Sequence, residues 1–452
     1  MLSSVTCSFL INSIEVFHHY MCFAIAPINS HTNLCVERSM NIHRDRVFYN
    51  EKVVEAAFRG RGIEVNKLSA SVMGYRSCIN GCWAIVSCQS CGDIDLESQL
   101  RSLESIVVKR KCPGISSANF FSGSVSLGSM DRDPVELVKV AADICDEFSD
   151  VDCEFILNVR DVERVIDRFG DSAKERKVVI EVIAAMIVKR PRVGSGSFAM
   201  SFVGDLSSLK ESQIERVLRS IYRRAQASSK AKLLNPLASG RAEVILRHDA
   251  AAALFHELSH LLEADAASHL LIGTQVGPPE LDIYDDPKYF GSSAIRLFDD
   301  EGVVTSRRSL VEGGVVVDLH HTLSTAHLFN SRPGSAHGLF HAPRPFHTAL
   351  IVKPGDWGER EVVEETRKGF LAEGLLQAET IGNYIRIVPE TTWYIEKGEI
   401  KEPIRIRAIK IPLQKLKTIT ALTKTLHTRT TYEKEHLITE TTPTTKLQAY
   451  IE

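Results

Sequence analysis

The chain has 452 residues, of which 44% are hydrophobic and 25% charged, with a formal net charge of −3. That length buries a core without disulfide or metal staples and leaves room for two or three domains. The near-neutral balance, with Lys and Arg only in short mixed runs, excludes a general nucleic-acid binder, and no run approaches the roughly 18 apolar residues that span a bilayer.

Residues 1–39 hold Cys7, Cys22, Cys35 and the pair His18-His19, with no Lys or Arg before Arg38. They lack the basic start and long apolar centre of a secretory signal. They are expected to be a disordered extension or a mispredicted start ahead of Met40, and a cytoplasmic location is expected. Residues 46–65 place Val47, Val53, Val54, Ala57 and Phe58 at helical spacing before Gly60 and Gly62, which predicts a helix. LSASVMGY, SCINGC and WAIVSCQS then read as short antiparallel strands with an Asn-Gly turn. Helices are expected over 94–110, over 131–148 (with a proline in the first turn), over 160–170 and over 208–226. Strands are expected in CEFILNV and from Ser195 to Val203.

All ten cysteines lie at or before Cys153. Cys78, Cys82, Cys88 and Cys91 form a CxxxC followed by a CxxC, a pattern that can close a tetrahedral zinc shell. The alternating WAIVS between them puts the thiols on both faces of a strand, so reduced, buried or half-buried strand cysteines are the expectation.

The boundary is expected in SSKAKLLNPLASGRAEVILRHD, dividing an amino-terminal α+β domain (40–238) from a carboxyl-terminal, largely antiparallel β domain (239–452). A strand, AEVILR, leads into LFHELSHLLEAD, Leu254 to Asp265, which contains His256-Glu257-Leu258-Ser259-His260. Beyond residue 298, DDEGVVTSRRSLVEGGVVVDLHHTL predicts strand, Gly-Gly turn and strand, and FHTALIVKPGD, YIRIVPETTWYIEKGEI and EPIRIRAIKI are strand-like. The Thr-rich end from Thr418 onward is the one low-complexity tract.

Residues four apart on a helix lie about 40° apart around its axis, so His256 and His260 address one point; Glu257 lies about 100° from His256. Neutral imidazoles bind Zn²⁺, an open position holds a water whose pKa falls to roughly 7, and a carboxylate takes its proton as a carbonyl is attacked. Glu257 is therefore the candidate general base, one Zn²⁺ per chain the candidate cofactor, and Glu263 a residue to orient His260. The competing reading is an ordinary amphipathic helix, since Ala251, Ala252, Leu254, Phe255, Leu258, Leu261 and Leu262 stabilise it without metal.

HELSHLLEAD, FDDEGVVTSRRSLVEGGVV, IVKPGDW, WYIEKGEIKEPIRI and, earlier, YRSCINGCWAIVS together resemble the TldD/PmbA family over roughly Asn41 to Leu416. That resemblance implies an amino-terminal α+β domain, a β-rich carboxyl domain, and homodimers or heterodimers with a paralogous subunit enclosing a cavity. It also implies a zinc peptidase acting on unfolded or small peptides, or a catalytically silent PmbA-like partner subunit, with no nucleic-acid or membrane site. The family's helix has one more residue between its histidines; in that register Phe255 takes the first histidine's place and His256 the glutamate's. Its further ligand is a cysteine near the carboxyl end, where this chain reads TLHTRTTYEKEHLITETTPTTKLQAY. His436, or alternatively His427, is the expected substitute. SRPGSAHGLFHAPRPFH would lie near the family's cavity, with Arg332 and Arg344 as candidate grips for a substrate carboxylate.

Overall fold

A computed structural model describes residues 42–60, 62–89, 95–234, 240–266, 270–433 and 436–452. The expected amino-terminal extension and Cys91 lie outside the described residues. The first half is built on a seven-stranded sheet. Its strands are β1 (Ile42–Arg59), β2 (Ile63–Ile79), β3 (Cys82–Gln89), β4 (Gly123–Leu127), β5 (Val151–Arg168), β6 (Asp171–Val188) and β7 (Gly194–Val203). Helices α1 (Leu96–Val107), α2 (Pro134–Asp146) and α3 (Glu211–Lys230) accompany it. Asn80 and Gly81 both take positive φ and join Ile79 to Cys82, the tight two-residue hairpin that the Asn-Gly pair predicts.

Two expected helices are strands. Residues 46–59 form most of β1 and 63–65 the start of β2, while 160–168 belong to β5. In both, the helical-looking spacing comes from strands that are partly buried on two faces, where burial does not alternate cleanly. The charges that mimic helical pairs act between strands: Arg160 contacts Glu51 at 2.8 Å and Glu181 at 3.3 Å. Val, Ile and Phe favour such a pleated surface. Helix α3 lies directly on β7. A Cβ at Gly196 would stand 2.0 Å from the Ile221 carbonyl oxygen, so only glycine permits that approach. Leu137, Phe155, Leu157, Ile180, Leu218 and Ile221 fill this core.

The cysteines differ from expectation as well. Cys82 pairs with Cys112 and Cys145 with Cys153, while Cys78 is a buried free thiol. Cys88 is also disulfide-bonded, so these thiols do not assemble a four-sulfur shell.

The second half is organised by a mixed sheet of 14 strands. Its middle holds β8 (Gly240–Arg247), β9 (Ala349–Val352), β10 (Lys368–Glu373), and the long carboxyl-terminal pair β11 (Ala421–Glu433) and β12 (His436–Ile451). β12 runs antiparallel to β8 and β11 but parallel to β9. The Thr-rich end, a tail by its composition, is thus the centre of the sheet. Threonine is β-branched and suits a strand, and Thr439, Thr441, Thr442, Thr444 and Thr445 are all buried. Helix α4 (Asp249–Ser259) follows β8 and packs against β12, with every residue from Ala250 to Ser259 buried. Leu254, Phe255, Leu258, Leu350, Phe370 and Leu447 belong to one core. Among the described residues, no helix is long and apolar enough to cross a membrane.

The Asp299-Asp300-Glu301 segment ties the two halves together. Asp300 meets Arg164 of β5 and accepts from Arg296 at 2.6 Å and the Gly338 amide at 2.7 Å. Asp299 accepts from the amides of Glu301, Val303 and Ala336. Glu301 accepts from the Leu323 amide at 2.6 Å and is completely buried. Burial, then the neighbouring Asp299 charge, raises Glu301 from the usual carboxylate range to about 8. A carboxyl that holds its proton more tightly when folded stabilises the fold most below its unfolded pKa near 4.5 and loses that contribution as pH climbs to about 8. Glu301→Gln is therefore expected to flatten the decline in melting temperature between pH 5 and pH 8. Parallel thermal melts of variant and wild type check this; identical slopes would contradict it.

Candidate metal centre

Helix α4 is short, continuous and rich in alanine, the residue with the highest helix propensity, and a 3-10 turn, His260–Leu262, extends it. The regular turn keeps His256 and His260 adjacent: their ring centroids are 4.9 Å apart and the rings nearly perpendicular. Both present Nε2 to one carboxylate, that of Glu433 at the end of β11. Its oxygens lie 2.8 Å from His256 Nε2 and 3.4 Å from His260 Nε2.

The opposite ring nitrogens are each held by a second carboxylate. His256 Nδ1 is 2.8 Å from Glu440 of β12, and His260 Nδ1 is 2.7 Å from Glu263. Glu440 is fully buried and also lies 3.2 Å from His347 Nε2, while Thr431 donates to its other oxygen. His347 completes the chain through Nδ1, 2.8 Å from the Ser259 hydroxyl. With a carboxylate accepting at each Nδ1, the Nδ1 proton is held in place, and each Nε2, which donates to Glu433, is the nitrogen that would bind an ion once its own proton is lost.

The electrostatics follow the same contacts. Burial alone would lower His260, but hydrogen bonds to Glu263 and Glu433 outweigh it and raise the group to about 9. His256 is raised against the same burial by Glu440 and then Glu433. Glu433 and Glu440 are both pulled far below the usual carboxylate range by the imidazoles, against burial. Donor atoms of His256, His260 and Glu433 all fall within 4.8 Å of one another. Two imidazole nitrogens and one carboxylate oxygen, each imidazole braced from behind, form a donor set that suits zinc.

The other expected site residues lie elsewhere. His436 faces Asp300 at 3.4 Å and His337 at 4.7 Å between ring centroids. The Phe346 ring, 5.3 Å from His260 and 5.8 Å from His337, stands between that group and the α4 pair. His427 packs on His248 at the far end of α4. A histidine from the carboxyl strands is thus not what meets the pair; Glu433 is. Thr431 and Glu433 alternate onto one face of the hairpin with Glu440, and His436, paired opposite Glu433, shares that face but turns its ring to Asp300.

Glu257 is directed to a different neighbour, its carboxylate accepting from Thr380 at 2.8 Å. Arg344 bonds Asp265 at 2.9 Å, and the carbonyl of Arg332 accepts from Arg308. Glu433 escapes a search of the carboxyl end for nitrogen and sulfur donors alone. The signal that marks it is a pair of glutamates, Glu433 and Glu440, in a threonine-rich β pattern.

A cavity of about 160 Å³ lies on the other side of the β11–β12 hairpin, between the two halves. Tyr432, His436, Leu437, Phe340 and Lys177 are among the residues that line it.

Comparison with known proteins agrees with this architecture. Residues 239–446 match the PmbA/TldA metallopeptidase C-terminal domain. A metalloprotease of Methanocaldococcus jannaschii is 27% identical over 182 residues, 38% of this chain and 40% of that protein. One of Synechocystis is 29% identical over 193 residues, 40% of this chain and 42% of that protein. The matched stretch thus spans about two fifths of these relatives' length. Among solved structures, a candidate modulator of a DNA gyrase from Thermotoga maritima superimposes with a TM-score of 0.73 at 16% identity, covering 91% of this chain and 96% of that one. TldE from Thermococcus kodakarensis gives a TM-score of 0.67 at 15% identity, over 90% and 96%. Residues 239–446 thus carry the C-terminal domain of the PmbA/TldA metallopeptidases, and the chain shares the fold of these solved structures.

Proposed function

We propose that this protein is a zinc metallopeptidase that hydrolyses amide bonds of unfolded or small peptides, with His256, His260 and Glu433 as the ligands of one zinc ion per chain. The observation that carries the reading is the convergence of both Nε2 atoms on the Glu433 carboxylate, with each Nδ1 braced by a carboxylate of its own. The names of the curated relatives, all metalloproteases, support the class.

A bound zinc would polarise a peptide carbonyl and supply a water acidic enough to lose its proton near neutrality. Glu440 and Glu263 hold the Nδ1 protons, so that each Nε2 would be the atom offered to the ion when it displaces the Nε2 proton. Glu440→Gln and Glu263→Gln are each expected to weaken zinc affinity about 10- to 100-fold, the usual cost of losing a residue that orients a ligand. Competition with a chromogenic chelator measures it, and unchanged affinity in both would remove their orienting role. Glu257 is the candidate proton acceptor, and to act it must leave Thr380 and turn toward the pair. The cavity beside Tyr432 and His436 would take part of the substrate chain, and a dimer with a second copy or a paralogous subunit would close it in the cytoplasm.

The full-length protein, loaded with one equivalent of zinc, is expected to cleave an unstructured fluorogenic peptide. Chelator or His256→Ala should abolish cleavage. Protein that binds no zinc would overturn the proposal.

A second reading rests on Glu257, whose carboxylate is engaged by Thr380 and not by either histidine. It makes the protein a non-hydrolytic, PmbA-like partner subunit. Zinc uptake and peptide binding without cleavage, alone or after Thr380→Val, would favour it.

A further inference from the structure

We propose that the cavity between the two halves is a pocket for one uncharged aromatic side chain of a peptide, tyrosine above all. The choice of a peptide as ligand rests on the peptidase reading, but the pocket contains none of the zinc ligands. Its floor is a face of the first-half sheet. Tyr49 and Val53 of β1, Leu68 of β2 and Val162 of β5 stand on that face by alternation along paired strands. Phe340 and, from the β11–β12 hairpin, Tyr432 form the opposite wall.

Size and charge decide the occupant. The volume, about 160 Å³, matches the roughly 150 Å³ of an apolar cavity that takes up benzene. The charged groups on the walls already have partners. Arg160 donates to Glu51 at 2.8 Å, Arg164 and Arg296 meet Asp300, and Lys177 donates to the Ile295 carbonyl at 2.9 Å. Glu175 lies between Arg164 and Lys177, at 3.5 and 3.6 Å. A charged side chain entering here would lose its water without gaining a counter-charge. One polar atom is left over: Ser293 Oγ is buried, lines the cavity and takes no hydrogen bond among the described residues. A phenol hydroxyl bonded to it would satisfy both groups, which favours tyrosine over phenylalanine. The metal centre is near enough to share one peptide with this pocket. His337 lines the cavity 5.8 Å from the Phe346 ring, and that ring is 5.3 Å from His260. An extended chain advances about 3.3 Å per residue, so about three or four residues bridge the two.

The test uses the full-length chain and unlabelled Ser-Gly peptides carrying one guest residue, Tyr, Phe, Glu or Lys, with affinity read by calorimetry in the presence and absence of zinc. Wild type should bind the Tyr and Phe peptides at least about tenfold more tightly than the Glu and Lys peptides. Tyr should exceed Phe by about three- to tenfold. Ser293→Ala should remove that second margin and keep the first. Ala70→Phe, which puts a ring into the cavity from β2, should remove both. Equal affinity for all four guests in wild type would overturn the proposal, as would a preference that survives Ala70→Phe intact. Because binding is also read without zinc, a chain that takes up no zinc leaves this test decisive. Zinc-dependent cleavage with no guest preference would sink the pocket and spare the peptidase reading.

Discussion

Glu433→Ala is expected to weaken zinc binding on the order of 10²- to 10³-fold. A zinc site of four ligands is worth about 10–16 kcal/mol, so losing one strong ligand removes several kcal/mol. The effect on the fold should be small by comparison, since Glu433 sits at the end of a hairpin with its side chain 29% exposed. That split separates a ligand from a structural ion pair. A carboxylate that merely neutralises His256 and His260 would, when removed, lower the melting temperature and leave zinc uptake unchanged. Glu433→Cys supplies a thiolate, itself a zinc ligand, and should restore most of the affinity. Zinc titrations of the three proteins, run beside thermal melts, decide between the two roles.

Asp300→Ala carries the largest expected loss of stability. Burial opposes the Asp300 charge, but Arg296 and Arg164 outweigh it and hold the carboxyl well below its usual range. Removing it leaves two buried guanidiniums short of their partner and the Gly338 amide without its acceptor. Breaking a buried pair of this kind costs about 3–5 kcal/mol, which for a chain of this length lowers the melting temperature on the order of 3–5 °C. Asp152→Ala is the control. Its partner is Lys189, both side chains are more than 60% exposed, and the loss should stay within about 0.5 kcal/mol. Calorimetry of both variants checks the contrast, and equal losses would contradict the view that Asp300 fastens the two halves together.

Much of this architecture is legible in the sequence, and the exceptions share a physical cause. Pro134 in the first turn and Asp133 as cap mark α2, while Asn80-Gly81 marks its hairpin. What misleads is burial on both faces. Val47, Val53, Ala57 and Phe58 mimic a helical stripe, yet β1 has partners on both edges, β2 and β5. The Thr-rich end misleads in the opposite sense: its hydroxyls suggest solvent, whereas Thr439 to Thr445 sit within the central sheet, bonding through side chains such as Thr439 to Ser292 at 2.7 Å.

The site divides in the same way. His256, His260 and Glu263 are near neighbours along α4 and the turn that ends it, so local geometry brings them together and spacing reveals them. Glu433 and Glu440 arrive from 170 or more residues away, through pairings that no periodicity encodes. His436 shows the limit of reading residue type alone. It is a competent zinc ligand that the hairpin delivers to Asp300 and His337, with Phe346 between it and the α4 pair.

Whether two imidazoles and a carboxylate hold zinc is tested most directly by X-ray absorption at the zinc edge, on full-length protein loaded with one equivalent. Zinc on His256, His260 and Glu433 gives a shell of nitrogen and oxygen at about 2.0–2.2 Å, with outer scattering from two imidazoles and no sulfur near 2.3 Å. A sulfur shell would move the metal to the cysteines of the amino-terminal half and contradict this assignment, as would failure to retain zinc.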